Sequence, residues 1–341
     1  MPNYLPPFTL SNKTLSLVAQ ISESIGRLTV QQEQEKLLRL RKVNRMRTVQ
    51  GSLAIEGSTL TQQQITAILD GKRVIAPPKE VQEAHNAIST YETLPQWQPA
   101  NGTHLLAAHL LMMKGLVKDA GMYRQEGVGV MSGEQVVHMA PQATRVPKLM
   151  TDLLEWLESS DVHPLVASCV FHYEFEFIHP FSDGNGRMGR LWQTLILSKW
   201  HEVFINIPVE SMVYQHQDDY YLAIRQSTQQ TDSAPFIEFM LQMIYNAISE
   251  ANNIKSNDGL NDGLNDGLND GLNDGLKLSN LDKDILMFIQ QDRYKTNAQL
   301  AEKCGKSQST IERRVKFLKD AGLITRIGAK KTGYWQVNSP V

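Results

Sequence analysis

His179-Pro180-Phe181-Ser182-Asp183-Gly184-Asn185-Gly186-Arg187-Met188-Gly189-Arg190 lies between two segments whose apolar residues recur at helical spacing, Pro164 to Ile178 before it and Arg187 to Trp200 after it. The stretch is therefore a helix-loop-helix turn, with proline in the first turn of the leading helix and Gly184-Asn185-Gly186 opening the second. Two glycines let successive backbone N–H groups turn inward as an anion nest, and the helix N-terminus adds its partial positive charge. Arg187 and Arg190 are three residues apart, hence on one helix face, where they can clamp further oxygens of a phosphate. Asp183 is the only carboxylate on the loop and suits a magnesium ion held against those phosphates. His179 ends the first helix and can face the same point as a general base. Phe181 is expected to anchor the loop in the core. Each piece alone is commonplace, since a lone histidine after a helix is usually structural and an Asp before Gly is usually a turn residue. Within twelve residues, however, they supply every part that attack on a phosphate needs.

Working outward, the rest of the first 255 residues reads as mainly α. Residues 11 to 50 carry Leu15, Val18, Ile21, Ile25 and Leu28, then Leu37, Leu40, Val43 and Val49, at three- and four-residue spacing. Further helices are predicted over Glu80 to Tyr91, Gly102 to Ala120 with a stop at Gly121, Pro147 to Leu157, Asp218 to Gln229 and Pro235 to Ala251. One interruption stands out. Val128 to Met139 sets Gly127, Gly129 and Gly133 among Val128, Val130, Val136 and Val137, which predicts a short β-hairpin.

The chain has 341 residues, 41% of them apolar, and room for two or three domains. Its net charge of −2 hides an asymmetry: from Asn280 to Val341 twelve Lys and Arg face six Asp and Glu, so this tail carries about +6 and the remainder about −8. A basic tail suggests an end that touches something anionic. Cys169 and Cys304 sit in no metal-ligand spacing and suggest a reducing cytoplasm. The N-terminal MPNYLPPFTL lacks a signal-peptide pattern, and the most apolar stretch, His104 to Met113, is too short for a span of roughly 20 residues, so no membrane contact is expected.

From Asn257 to Leu276 the tetrapeptide Asn-Asp-Gly-Leu repeats five times. A four-residue period drifts against 3.6, and Asn, Asp and Gly favour turns, so residues 256–279 read as a linker spanning roughly 25 Å as a coil. Calcium binding there is disfavoured, because the aspartates recur every four positions and the loop-closing glutamate of an EF-hand is missing. Beyond it come an amphipathic helix from Leu281 to Gln290, a second capped by Thr296 and Gln299, and a third capped by Ser309 and Glu312 and ended by Gly322. Strands at Leu323 to Ile327 and Tyr334 to Val337 bracket a basic tip. Residues 280–341 are thus expected to form a winged helix-turn-helix. Arg313, Arg314, Lys316 and Lys319 on the expected recognition helix, with Lys330 and Lys331 on the wing, are candidate contacts to duplex DNA.

The stretch His179 to Arg190 resembles the motif of the Fic (filamentation induced by cAMP) family, His-Pro-Phe-x-Asp/Glu-Gly-Asn-Gly-Arg-x-x-Arg, and meets every specified position. The resemblance covers roughly residues 1 to 255. It implies a Fic-type helical core with a short β-hairpin flap, and transfer of AMP from ATP to a Tyr, Thr or Ser hydroxyl of a target protein or of the chain itself. By that resemblance His179 deprotonates the hydroxyl, Asp183 holds Mg²⁺, Gly184, Asn185 and Gly186 cradle phosphates, and Arg187 and Arg190 bind the outer ones. Met188 and Gly189 lie within the same nucleotide-binding stretch, and Tyr220 and Tyr221 fall where the family places an aromatic near the base. The hairpin, with Val128, Val130, Val136, Val137 and His138, looks like the family's flap, which docks an extended target by adding a strand.

Ser52-Leu53-Ala54-Ile55-Glu56-Gly57 resembles the family's inhibitory motif, Ser/Thr-x-x-x-Glu-Gly/Asn. The resemblance implies that Ser52, Glu56 and Gly57 belong to an inhibitory helix at about residues 48–57, within an N-terminal helical region over 1–100 that precedes a catalytic core over 101–255. Glu56 would pair with Arg190 and take the place of an anionic γ-phosphate. In some relatives the same glutamate aligns water to remove AMP, so addition and removal both stay open. Two other readings stand beside these: a nucleotide-sensing, DNA-binding regulator built on the same core, and donation of UMP or phosphocholine, for which the motif gives no reason. Dimerisation is an expectation of the resemblance alone.

Overall fold

The computed structural model describes residues 4–30, 34–127, 129–132, 135–258, 280–304, 306, 308–320, 323–327 and 334–337. The chain falls into two units, Met1–Gly263 and Leu264–Val341.

In the first unit the apolar periodicities become helices: α1 (Asn12–Val30), α2 (Gln34–Ile55), α3 (Gln62–Leu69), α4 (Pro78–Thr93), α5 (Gly102–Met112), α6 (Val146–Ser159), α7 (Pro164–Ile178), α8 (Asn185–Trp200), α9 (Val209–Gln215), α10 (Gln217–Gln230) and α11 (Ala234–Asp258). The only strands described in this unit are β1 (Gly129–Ser132) and β2 (Gln135–Met139), an antiparallel hairpin with an irregularity between Val130 and Met131. Helices α7 and α8 form the centre. Nearly every residue of α7 is buried, and α8 presents Leu191, Trp192 and Leu195 to the core with no exposure. Both helices are thus covered on nearly all sides, as a helix at the centre of a core is.

Two boundaries and one buried stripe depart from the sequence reading. Helix α5 ends at Met112, eight residues before the expected end at Ala120, and Gly115 turns left-handed at φ 74° among the residues that follow. Residues 113–116 therefore form a turn, not helix, with Met113 buried and Lys114 and Gly115 exposed. Helix α11 continues past Ala251 to Asp258, into the first Asn-Asp-Gly-Leu unit. On α1 the buried stripe is Leu17, Ile21 and Ile25, whereas Leu15 is exposed, as is Val43 on α2. The rest of the repeat, residues 259–279, lies outside the described residues.

Helix α2 is laid down beside the core by polar ties. Asn44 donates to the Asn206 carbonyl, Ser211 Oγ to the Arg47 carbonyl, and Gln217 Nε2 to the Ile55 carbonyl at 2.8 Å. Its end is set by Gly57, which takes φ +91°. The Ser58 N–H bonds the Leu53 carbonyl and the Gly57 N–H the Ala54 carbonyl, the paired bonds of a Schellman cap with Glu56 as C-cap. Glycine at 57 thus stops the helix at Glu56.

The second unit has α12 (Asn280–Gln291), α13 (Asn297–Cys304), α14 (Gln308–Asp320) and an antiparallel pair, β3 (Ile324–Ile327) with β4 (Tyr334–Val337). Ile285, Ile289, Leu300, Ile311, Val315, Leu318 and Ile324 form its core. This is a winged helix. Thr296 and Gln299 make the expected capping box. Helix α14 starts at Gln308, so Ser309 lies inside its first turn instead of capping it. Gly322, Lys330 and Lys331 lie outside the described residues. Both cysteines are free thiols, and among the described residues no helix is long and apolar enough to cross a membrane.

Candidate active site

The loop between α7 and α8 is built around a left-handed histidine. His179 caps α7 with φ 50° and ψ 63°, a conformation that costs a non-glycine residue of order 1 kcal/mol or more. Its N–H still bonds the Phe175 carbonyl, and Nδ1 lies 3.3 Å from the Glu176 carbonyl oxygen. Phe181 is fully buried, as expected, and stacks face to face on His109 with ring centroids 3.6 Å apart. The Gly121 N–H donates to His109 Nδ1, which puts the ring proton on Nε2, where it meets the Asp183 carbonyl at 3.0 Å. Burial lowers the His109 pKa to about 4, so the ring is neutral and keeps that tautomer.

Asn185 holds the other side of the loop. Its Oδ1 accepts from the Phe181 N–H and its Nδ2 donates to the Phe181 carbonyl, both at 2.9 Å. The side chain expected near phosphate is thus spent on shaping the loop, and only the Asn185 backbone remains to the nest. Gly184 is the N-cap of α8, which places Asn185, Gly186 and Arg187 in its first turn, where backbone N–H groups have no intrahelical acceptor. Asp183 is half exposed; its Oδ1 accepts from the Gly184 N–H at 2.6 Å and from Arg187 Nη2 at 3.1 Å. Arg187 also reaches Glu83 of α4 at 3.5 Å.

Arg190 is 2% exposed and held wholly by the last turn of α2 and the residue beyond it. Nη2 donates to Glu56 Oε1 at 2.6 Å and to the Ser52 carbonyl at 3.1 Å, and Nε donates to Ser52 Oγ at 3.3 Å. Burial works against the Arg190 charge, but Glu56, with Tyr220 and Glu176 nearby, outweighs it and raises the pKa above its usual value. The carboxylate also crowds the nest itself: a Cβ placed at Gly186 would lie 2.5 Å from Glu56 Oε1. Beneath this pair Glu176 is buried with Oε1 unpartnered, Oε2 3.9 Å from His179 Nδ1, and a pKa pushed up to about 7 by desolvation.

His179, Asp183, Gly184, Asn185, Gly186, Arg187 and Arg190 therefore meet at one place with Ser52, Glu56 and Gly57. Three expected nucleotide contacts do not join them. Met188 is fully buried, and Gly189 packs so closely on α7 that a Cβ would sit 2.8 Å from His172 Cδ2; one step beyond the first turn, α8 has rotated them inward. Tyr220 is 2% exposed and gives its hydroxyl proton to His172 Nε2 at 3.1 Å, whereas the neighbouring Tyr221 is only partly buried and lies close enough to Glu56 to feel its charge. In the hairpin Val130 pairs with His138 and Met131 with Val136, leaving Val137 at the irregularity; Val128 lies outside the described residues.

Reading the sequence did not find Arg124, His109 or Glu80. Arg124, 3% exposed, gives its guanidinium protons to four carbonyls around the loop. Glu80 of α4 accepts from Ser58 Oγ and from the Thr59 N–H and hydroxyl, pinning the turn after Glu56. The one signal in sequence for His109 is a polar residue inside the apolar run of α5. In the winged helix Arg314 is partly buried and engaged within the domain: it pairs through two nitrogens with the buried Asp282 and lies over the Phe317 ring. Arg313, Lys316 and Lys319 are exposed on α14.

The Fic/DOC family profile matches residues 99–197, and the profile for winged helix-turn-helix DNA-binding domains matches residues 278–325. The chain is 29% identical over 204 residues to protein adenylyltransferase Fic of Nematostella vectensis and 27% identical to that of Aedes aegypti. Each match takes in 55% of this chain but only 44% and 38% of those proteins, so the chain spans less than half the length of these relatives. The crystal structure of a Fic family protein from Desulfovibrio desulfuricans G20 is 43% identical, covers 99% of both chains and superposes with a TM-score of 0.72. Fic-1 of C. elegans, 20% identical with a TM-score of 0.59 over 72% of each chain, shares the fold.

Proposed function

Because this chain belongs to the Fic family, we propose that it is a protein adenylyltransferase, moving AMP from ATP to a Tyr, Thr or Ser hydroxyl of a target protein or of itself, restrained by its own Glu56. The observation that carries this reading is the place of the Glu56 carboxylate, 2.6 Å from Arg190 Nη2 and against Gly186 in the first turn of α8. A protein anion already sits where helix terminus and guanidinium favour one.

His179 acts first. With Nδ1 turned to the Glu176 carbonyl, Nε2 is the basic nitrogen of the neutral ring and takes the proton of the target hydroxyl. The freed oxygen attacks the α-phosphorus, and the bond to the bridging oxygen breaks to release pyrophosphate. The first-turn N–H groups of α8 and the two arginines stabilise the charge on the phosphates as it shifts. Asp183 would hold a magnesium ion: it is half exposed and its carboxylate accepts hydrogen bonds through Oδ1, and a carboxylate oxygen is the hard donor such an ion takes. When bound, Mg²⁺ neutralises phosphate charge. The β1–β2 hairpin takes the target as an added strand through its backbone, which selects conformation before sequence.

The test is intact mass after incubation with ATP and Mg²⁺. The Glu56→Gly protein is expected to gain AMP faster than the parent, and to gain none once His179→Ala is added. If neither gains AMP but a pre-modified protein loses it in a Glu56-dependent way, the chain removes AMP and the transfer reading fails.

The winged helix supports a second role, contact with duplex DNA through Arg313, Lys316 and Lys319, given the family its profile matches and the exposure of those side chains. A salt-sensitive mobility shift lost on Arg313/Lys316 replacement is expected; no shift at low salt refutes it.

A further inference from the structure

One buried guanidinium connects the histidine that ends α7 to both ends of the hairpin. Arg124 Nε donates to the carbonyl of His179 itself at 2.7 Å, and Nη2 reaches the Ile178 carbonyl at 3.3 Å. On the hairpin side Nη1 donates to the Glu126 carbonyl, ahead of β1, at 2.7 Å, and Nη2 to the Pro141 carbonyl, after β2, at 2.6 Å. The backbone joins in: the Arg124 N–H donates to the Pro180 carbonyl at 2.9 Å. All four side-chain acceptors are main-chain oxygens, and two belong to the C-terminus of α7, where carbonyls carry partial negative charge and attract a cation.

This is an unusual use of a buried charge. A guanidinium placed only to stabilise the fold is normally matched by a carboxylate. Here it is spent on carbonyls that belong to two different working parts. His179 holds a left-handed backbone that its own Cβ disfavours, and the bond to its carbonyl fixes that peptide. The same side chain fixes where the chain enters β1 and where it leaves β2. We propose that Arg124 is a positioning residue that sets the distance and orientation between the target-docking hairpin and His179, so that a hydroxyl on a strand-paired segment arrives at the base; the role in transfer rests on the function proposed above. Arg124 touches neither the α8 first turn nor Arg190 in this arrangement. It therefore governs the turnover step and not nucleotide affinity.

The experiment uses the full chain carrying Glu56→Gly, with Arg124→Met and Arg124→Lys added separately. Self-modification is followed by intact mass across ATP concentrations, at a temperature where circular dichroism finds each variant folded. A misplacement near 1 Å costs on the order of 10²-fold in rate, so Arg124→Met is expected to lower kcat by about that factor. Its KM for ATP should stay within about threefold, with Arg124→Lys in between, because an ammonium can serve some but not all of the carbonyls. Arg124→Met with a kcat within threefold of its parent overturns the proposal, and so does a loss confined to KM. If the Glu56→Gly parent transfers nothing, it is the proposed function that fails, and hydrogen exchange then decides on Arg124. Faster exchange in both the hairpin and the 176–180 segment, with α8 unchanged, supports the coupling; acceleration in only one of them overturns it.

Discussion

Replacing Glu56 by glycine should loosen the protein and sharpen its grip on nucleotide at the same time. The pair spans 2.6 Å between Glu56 Oε1 and Arg190 Nη2, with the guanidinium 2% and the carboxylate 35% exposed. Two unit charges about 4 Å apart attract by about 4 kcal/mol at an effective dielectric of 20. The solvent-facing side of Glu56 screens part of this, and desolvation offsets more, which leaves about 1–3 kcal/mol. Arg190 does not collapse when Glu56 goes, because Ser52 O and Oγ still accept from it. The guanidinium therefore stays poised for another anion. In the parent that anion must first displace Glu56, so the same 1–3 kcal/mol lowers ATP affinity by roughly 5- to 150-fold. Glu56→Gly should lose a few degrees of Tm without ligand, yet bind Mg·ATP about 5- to 150-fold tighter by calorimetry. It should also gain more thermal stability than the parent when nucleotide is added. Opposite signs in the two measurements are the signature. A variant that loses stability and binds ATP within threefold of the parent refutes competition for Arg190, and leaves Glu56 as an ordinary structural partner.

Glu80→Gln should weaken the clamp on Ser58 and Thr59 and raise self-modification of the otherwise unaltered chain several-fold by intact mass; an unchanged rate says that the turn after Glu56 does not contribute to the restraint. Glu176, pushed up to about 7 by burial, is protonated in the folded chain where the unfolded carboxyl is not, so its contribution to stability is lost as pH rises from about 4.5 through 7. Urea unfolding of Glu176→Gln against the parent should then swing by about 2–3 kcal/mol in favour of glutamine between pH 5 and 8, and a flat difference contradicts the buried acid. His172, held down to about 3 by burial, has the reverse sign: its stabilisation is present above about pH 6.5 and lost as pH falls, so His172→Gln should be relatively more stable at pH 5 than at pH 7 by about 2 kcal/mol. Arg314→Ala removes the two-nitrogen pair to the buried Asp282 carboxylate and should cost the winged helix about 1.5–3 kcal/mol by thermal melting, whereas Arg313→Ala should cost under about 0.5 kcal/mol.

What could be read from sequence and what could not separate along physical lines. The α7–α8 turn, the hairpin and the winged helix were legible because each is written in contiguous residues: proline at a helix start, glycines in a loop, a capping box. The paired residues fared worse. Tyr220 and Tyr221, or Arg313 and Arg314, are about 100° apart on a helix, so one faces inward while the other does not. For Tyr220 the signal was present, since Ala223, Ile224 and Ser227 continue a buried stripe from it. For Arg314 it was subtler, because the residue borders the Ile311–Val315 core face while its partner, Asp282, lies 32 positions away. Arg124 was beyond reach for the same reason. Its His179 and Pro141 acceptors are backbone oxygens 55 and 17 residues distant, and any residue type could supply them.

On the proposed function, the restraint and the anion site share their chemistry. Helix α2 ends where Gly57 turns left-handed, and its terminal carboxylate would by itself be poorly placed, at the negative end of a helix. What makes Glu56 acceptable there is the N-terminus of a second helix, α8, together with Arg190 from its next turn. Gly186 admits the contact because any larger residue would put a Cβ 2.5 Å from Glu56 Oε1. The same missing side chain would let phosphate oxygens approach the first-turn N–H groups. On the proposed function, substrate and restraint thus depend on one glycine and one arginine and exclude each other by occupying the same space. Mutations that improve the site for phosphate should improve it for Glu56 as well. On that reading activation would have to move the carboxylate, which is held from behind by Gln217 on the Ile55 carbonyl and Glu80 on the 58–59 turn.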